Sequence, residues 1–343
     1  MVALRRRATQ LERTRVTQVY RRRLECGLRE LRLFLFDRDS EIFDALQQNS
    51  VDFTLLDHYL AEWVNLCYED KVPFWICKHG LLGLQAEFRH VRYKIPRAWD
   101  CVGSWDSRRT HSNRLPMNSQ ITEFLSSVAL SWGLEQTSWA LPLVVFSVLI
   151  RVGFNGLLRP GELLNLRSQD VSVSDVWDDH QYLVLAIRNP KTRRFGGRHQ
   201  HVVIHDKFCI GWLRWLCQYL LPSMKIWPFS QDVFRTWFRK VLSRGGLQQF
   251  RFTPGSLRAG GTTHLVIQGM DLTRVQFLGR WRANSSMSVY VQEAMASLTW
   301  VHLSAELKHT ISTTVLESRQ LVSAPPLIPW WCLFQRPCSH ESI

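Results

Sequence analysis

No stretch of this 343-residue chain carries the ~18 consecutive apolar residues of a membrane span. The longest candidate, Trp139 to Ile150, stops at Arg151 and reads as a buried helix, so no membrane partner is expected. The eight cysteines, at 26, 67, 77, 101, 209, 217, 332 and 338, form no CxxC pair. Without paired knuckles there is no zinc framework, and scattered thiols fit a reducing compartment. Cys332, Cys338 and His340 come nearest to a metal set and read as loose tail residues, so no metal is expected. A glycine-rich phosphate loop of the GxxxxGK type is missing, as are internal repeats. Met1-Val2-Ala3-Leu4-Arg5-Arg6-Arg7 leads into no hydrophobic core of a secretory signal. Acidic residues are in deficit, 29 against 43 Lys and Arg, which leaves a net charge of +14. Such a charge favours a polyanion, and nucleic acid leads the candidates. The basic residues are spread along the chain, which disfavours a membrane surface.

What is present reads as mostly α with a small β-sheet. The length is a prior of about two domains, and 45% hydrophobic residues suffice for buried cores. Residues 1–111 look helical throughout. Leu24, Leu28, Leu31 and Leu35 keep helical spacing, as do Leu56, Tyr59, Leu60 and Trp63. A third helix is predicted from Ile76 to Tyr93. The arginines before residue 36 serve equally well as a targeting signal or as one face of a basic helix. Residues 96–116 hold Pro96, Gly103, Ser104, Arg108, Arg109 and Pro116 and read as a linker, with a domain boundary near 112. Residues 112–320 combine helices with strand-like runs at Val171–Val176, Tyr182–Arg188 and His201–Ile204, the last two joined by a turn at Gly196-Gly197. Residues 321–343, with Pro325, Pro326 and Pro329, read as a tail.

The chemistry-bearing residues come in order along the second domain. Arg159 follows a glycine-loosened turn after an apolar helix. Lys191 lies in the basic run Pro190-Lys191-Thr192-Arg193-Arg194, and Arg258 in Ser256-Leu257-Arg258-Ala259-Gly260-Gly261. Trp281 and Tyr290 follow, nine residues apart. A guanidinium binds phosphate oxygens through paired N–H groups and keeps its proton. An ammonium can give a proton to a leaving oxygen. An indole N–H can only donate. A phenol ionises near ~10, so as a nucleophile it needs cations or a base beside it. Each residue alone has a plainer reading: a structural ion pair for Arg159, an exposed turn for Lys191, a core ring for Trp281, a surface ring for Tyr290. Glu162 reads as an acid that orients an arginine.

As an ordered set, these residues resemble the catalytic domain of the tyrosine recombinase, or phage-integrase-like, family over residues 156–290. The first box stands as Gly156-Leu157-Leu158-Arg159-Pro160-Gly161-Glu162-Leu163, with Asp170 further on; its glycine lies one place further from the arginine than usual. Lys191 matches the family's hairpin lysine, Leu257-Arg258 its second arginine, and Trp281 and Tyr290 its last two positions. Gly255 stands where the family usually keeps a histidine; His199 and His201, near the hairpin, are the weaker candidates to take over its role. The run Ser256 to Thr263 leans towards recombinases of eukaryotic mobile elements.

The resemblance implies a helical core-binding domain at 1–111, an α+β catalytic domain at 112–320, and a tail at 321–343. It implies DNA recombination or integration, by strand cleavage and rejoining through a 3′-phosphotyrosyl bond, with Arg159, Lys191, Arg258, Trp281 and Tyr290 catalytic and Glu162 and Gly255 supporting. It implies double-stranded DNA as partner, self-association into a dimer or tetramer on DNA, and no cofactor or metal. The location would be the nucleus in a eukaryote, otherwise the cytoplasm or nucleoid. Three rivals stand beside it. One is a catalytically impaired DNA-binding remnant, favoured by Gly255. Another is a type IB topoisomerase-like relaxing enzyme. The third is a basic RNA-binding or scaffold protein.

Overall fold

The structure, a computed structural model, describes residues 17–109, 115–135, 140–174, 181–188, 190, 200–288 and 290–322. The N-terminal arginines before Thr17, Lys191, His199, the Gly196-Gly197 turn, the 323–343 stretch of the expected tail, and the Cys332, Cys338 and His340 group lie outside these residues. The chain divides into two compact units, Met1–Ser112 and Asn113–Ile343.

The first unit is helical. Thr17 caps α1 (Gln18–Arg38), its hydroxyl accepting from Tyr20 N. Then come α2 (Ile42–Gln48), α3 (Phe53–Glu69), α4 (Phe74–Glu87) and α5 (Pro96–Arg108). Leu31 and Leu35 of α1 meet Leu56 and Leu60 of α3 and Leu81 and Leu84 of α4 in one core. Two expectations change. The helix predicted over Ile76–Tyr93 is broken at Phe88, whose extended backbone leads into a short 3₁₀ turn, Arg89–Val91. The linker expected at 96–116 is helical as far as Arg108. Pro96 sits where its missing N–H costs nothing, and Ala98 and Val102 are buried, with Trp99 and Trp105 packed beside them. The N-cap Ile95 has no polar side-chain atom to accept from the first turn. The buried Asp57 of α3 replaces it, its carboxylate accepting from Arg97 N at 3.0 Å and Ala98 N at 2.9 Å.

The second unit is built on α6 (Ser119–Glu135) and α7 (Ala140–Asn155). The sequence reading ends α7 near Leu149. The helix continues because Arg151 is neutralised by Asp206, at 2.7 Å, and can stay half-buried. A short α8 (Pro160–Leu163) precedes an antiparallel sheet of β1 (Val171–Val173), β2 (Leu183–Ile187) and β3 (Gln200–Ile204) in that order. Leu185 pairs with Val171 on one side and Val202 on the other. Leu183, Leu185 and Ile187 point one way into the core, as the period of two requires. Next come α9 (Lys207–Tyr219) and α10 (Gln231–Arg244), which bring Trp212, Phe234 and Phe238 to the core around Phe146 of α7. They are followed by α11 (Pro254–Ile267) and α12 (Leu272–Gly279). Last are α13 (Asn284–Ser288), α14 (Glu293–Val301) and α15 (Ala305–Val322), none of which the periodicity reading had assigned. Among the described residues no helix is long and apolar enough to cross a membrane.

Candidate active site

The site forms where the end of α7, the start of α8, the first turns of α11 and the end of α12 converge. After α7 the chain turns at Leu157, which takes the left-handed backbone, φ +48°, without being glycine. Gly156 beside it has ordinary φ, but a Cβ there would lie 2.9 Å from Val152 O. The turn leaves the Leu157 carbonyl free of the helix ladder.

Two arginines use that carbonyl. Arg258, on α11 and only 1% exposed, donates through Nη1 to Leu157 O and through Nη2 to Gly279 O. Arg280 donates through Nη2 to Leu157 O at 3.3 Å and to Glu162 Oε2 at 2.8 Å. Arg280 is the left-handed C-cap of α12, φ +58°, and that backbone turns its side chain inward. Arg159 is the N-cap of α8. Glu162, three residues on, accepts from Arg159 N at 3.0 Å and from Arg159 Nη1 at 2.7 Å. One carboxylate thus serves two arginines.

Opposite them are the rings. Trp281 lies with its face over the Arg258 guanidinium, 4.1 Å from its carbon, and Tyr290 covers the same group at 5.5 Å. The two ring centres are 5.2 Å apart. Thr263 of α11 donates its hydroxyl to Tyr290 O at 2.9 Å and accepts from Gln292 N at 3.2 Å, which pins the backbone just after the nucleophile candidate. Among the described residues the Tyr290 hydroxyl has no hydrogen-bond partner.

The electrostatics are lopsided. Burial, then the like charges of Arg159 and Arg280, pull the Arg258 guanidinium down to about 9, so it keeps its proton at neutral pH. Burial also lowers Arg280, and Glu162 opposes that. Burial alone would raise the Glu162 carboxyl, but Arg280 and Arg159 hold it below its ordinary range. Among the described residues three arginines face one carboxylate, which leaves two of their positive charges uncompensated there. The Nε atoms of Arg258 and Arg280 are buried without partners among the described residues.

Of the residues singled out in the sequence, Arg159, Glu162, Arg258, Trp281 and Tyr290 come together here. Lys191 lies outside the described residues. His201 is exposed on β3, and no bond among the described residues ties it to the arginines. Gly255 is buried in the first turn of α11, which runs from Pro254. Pro254 and Gly255 are both helical, and neither has positive φ. The Gly260-Gly261 pair is explained by close packing: a Cβ would stand 1.7 Å from Met117 O at Gly260 and 2.2 Å from Phe154 O at Gly261. Arg280 is the residue that sequence reasoning missed. Its signal was faint, a basic residue in the Gly-Arg-Trp-Arg run with no acid beside it. Among the described residues no group of three His, Cys, Asp or Glu is placed to hold a metal ion.

Neither protein-family models nor curated proteins match the chain. Solved structures do. The Tn1549 transposon integrase, in complex with transposon right-end DNA, matches over 90% of this chain and 95% of its own, with a TM-score of 0.51 at 13% identity. The chain has the tyrosine recombinase fold. The XerH site-specific recombinase bound to difH substrate is also similar, over 71% of this chain and 69% of its own, at 16% identity and a TM-score of 0.47. The XerA recombinase matches 87% of this chain and 93% of its own, at 14% identity and a TM-score of 0.38. At such identities the likeness concerns the tyrosine recombinase fold and not the chemistry, which has to be argued from the side chains.

Proposed function

We propose that this chain is a DNA recombinase that cleaves and rejoins strands through Tyr290. The observation that carries the reading is the buried Arg258 guanidinium against the Tyr290 ring, within a cluster where three arginines share one described carboxylate. Phosphoryl transfer asks mainly for positioning and charge stabilisation, and this cluster is organised for both. In the proposed reaction the Tyr290 hydroxyl loses its proton to solvent as its oxygen attacks the phosphorus, and the bond to the 5′ oxygen breaks. Arg159 and Arg258 hold the non-bridging oxygens, and Trp281 donates its indole N–H to one of them. Lys191 gives a proton to the departing 5′ oxygen. A 5′ hydroxyl of a second strand then gives its proton back to Lys191 and attacks the 3′-phosphotyrosyl phosphorus, and the Tyr290 oxygen leaves, taking a proton from solvent. The covalent bond conserves the phosphodiester energy. The helical first unit and the basic faces would hold double-stranded DNA through phosphates, with copies of the chain assembling on it.

The decisive experiment uses a suicide DNA duplex, nicked so that the cleaved end diffuses away. A covalent adduct mapped to Tyr290 is expected, and its absence with the Tyr290-containing protein bound to DNA would overturn the reading. The impaired, DNA-binding alternative keeps one specific support. Gly255 offers no proton carrier, and Arg258 has both terminal nitrogens committed to backbone carbonyls.

A further inference from the structure

The first unit holds a cavity that the proposed reaction does not use. It has a volume of about 610 Å³, within the ~300–1,000 Å³ of small-molecule and cofactor sites. It lies between the end of α3, the start of α4 and the end of α5. Its aromatic walls are Tyr68, Phe74, Trp75 and Trp105. Trp105 meets Phe74 and Tyr68 edge-on, with ring centres 5.1 and 5.6 Å apart, so the cavity is framed by rings set at right angles. Trp75 and Tyr68 are 40% and 44% exposed, too much for rings placed only to fill a core. An aromatic cage of this kind ordinarily suits a cation. Here the lining also holds Lys71, Lys78, His79 and Arg109, which would repel one. Arg109 already stacks over Phe74 at 4.1 Å and pairs with Asp106. Lys71 and Lys78 have no carboxylate partner among the described residues. His79 donates Nδ1–H to Trp75 O, which fixes the ring beside the cavity. The ligand that satisfies both halves is flat, aromatic and attached to negative charge.

We infer that this cavity takes an unpaired base of a single-stranded nucleic acid, stacked on the exposed rings, with its phosphates against Lys71 and Lys78. Rings interleaved with cations are how sequence-tolerant single-strand sites work. The inference rests on the first unit alone and does not depend on Tyr290 chemistry. Duplex DNA keeps its bases stacked and paired, so it does not satisfy the rings.

The test uses the full chain with an oligothymidylate carrying one 5-iodouracil, cross-linked by light in the presence of excess unlabelled duplex. The adduct is expected on the peptides of Tyr68, Trp75 or Trp105. Trp75→Ala, at an exposed position, should weaken this binding roughly five- to a hundredfold, with circular dichroism unchanged. Lys71→Glu, also exposed, should weaken it with a shallower salt dependence. A uridine version of the same probe distinguishes RNA from DNA, and capture of either strand in the cavity supports the inference. Adducts confined to other peptides, or an undiminished yield in both folded variants, overturn it. So does displacement of the probe from the cavity by an acidic peptide at lower concentration than by unlabelled oligothymidylate, because the site would then be a protein-docking one. Loss of Tyr290 adducts with the cavity adduct intact would count against the recombinase reading alone.

Discussion

Among the described residues Glu162 is the one acid paired within the cluster of three arginines, which makes Glu162→Gln the most informative single change. The amide keeps the size and one acceptor but removes the charge. Glu162 and Arg280 are 5% and 6% exposed at the side chain, so solvent does little to screen their interaction. Removing one partner of a buried pair costs about 3–5 kcal/mol. The retained acceptor places this variant near 3 kcal/mol, or roughly 6–12 °C of melting temperature for a unit of this size. A second effect separates charge from packing. The variant has three uncompensated cations where the parent has two, so inorganic phosphate should stabilise it more than it stabilises the parent. The pH dependence has a definite sign. Because the Glu162 carboxyl is held below its ordinary range, its stabilisation is full above about 4.3 and is lost as pH falls through the lowered value. The variant should lack that acid-limb loss. Differential scanning calorimetry across pH and phosphate reads all three. A change no larger than the ~0.5 kcal/mol of surface substitutions, with no extra gain from phosphate, would refute the idea of an under-neutralised anion site.

Other outcomes follow from the same geometry. Tyr290→Phe should abolish covalent DNA adducts while leaving DNA affinity and melting temperature nearly unchanged, since the hydroxyl has no described partner; adduct gels and anisotropy check this. Gly255→His meets no obstacle of φ, only of burial, and a folded variant should form adduct faster by up to ~10²-fold, the low end of acid–base assistance. Equal rates would mean that another group already fills the role. Trypsin should separate the helical first unit from the second beyond Arg109 and not within α5, with mass spectrometry of the fragments locating the cut.

Local features were legible in the sequence, and distant ones were not. Arg159 and Glu162 are three residues apart, so their pairing could be read from spacing alone. The alternation of Leu183, Leu185 and Ile187 likewise announced β2. Arg280 was missed because its partners lie in the Leu157–Glu162 stretch, more than a hundred residues away, and nothing beside it in the chain marks it as buried. Helix α5 was hidden by Gly103 and Ser104, which the buried face of Ala98 and Val102 outweighs. The Gly260-Gly261 pair was visible as letters, but its reason, the nearness of Met117 and Phe154, exists only in three dimensions.

The Leu157 carbonyl has a consequence for how this protein tolerates change. The oxygen that receives Arg258 and Arg280 is part of the main chain, so side-chain substitution at 157 cannot delete it. Selection can reach it only through the backbone conformation. A saturation library at this position should accept Gly and Asn, which favour left-handed φ, at the cost of the apolar contact with Val275 and Trp281, and should reject Val, Ile and Pro. Two arginines are thereby anchored to something that mutational drift leaves in place while the surrounding letters turn over.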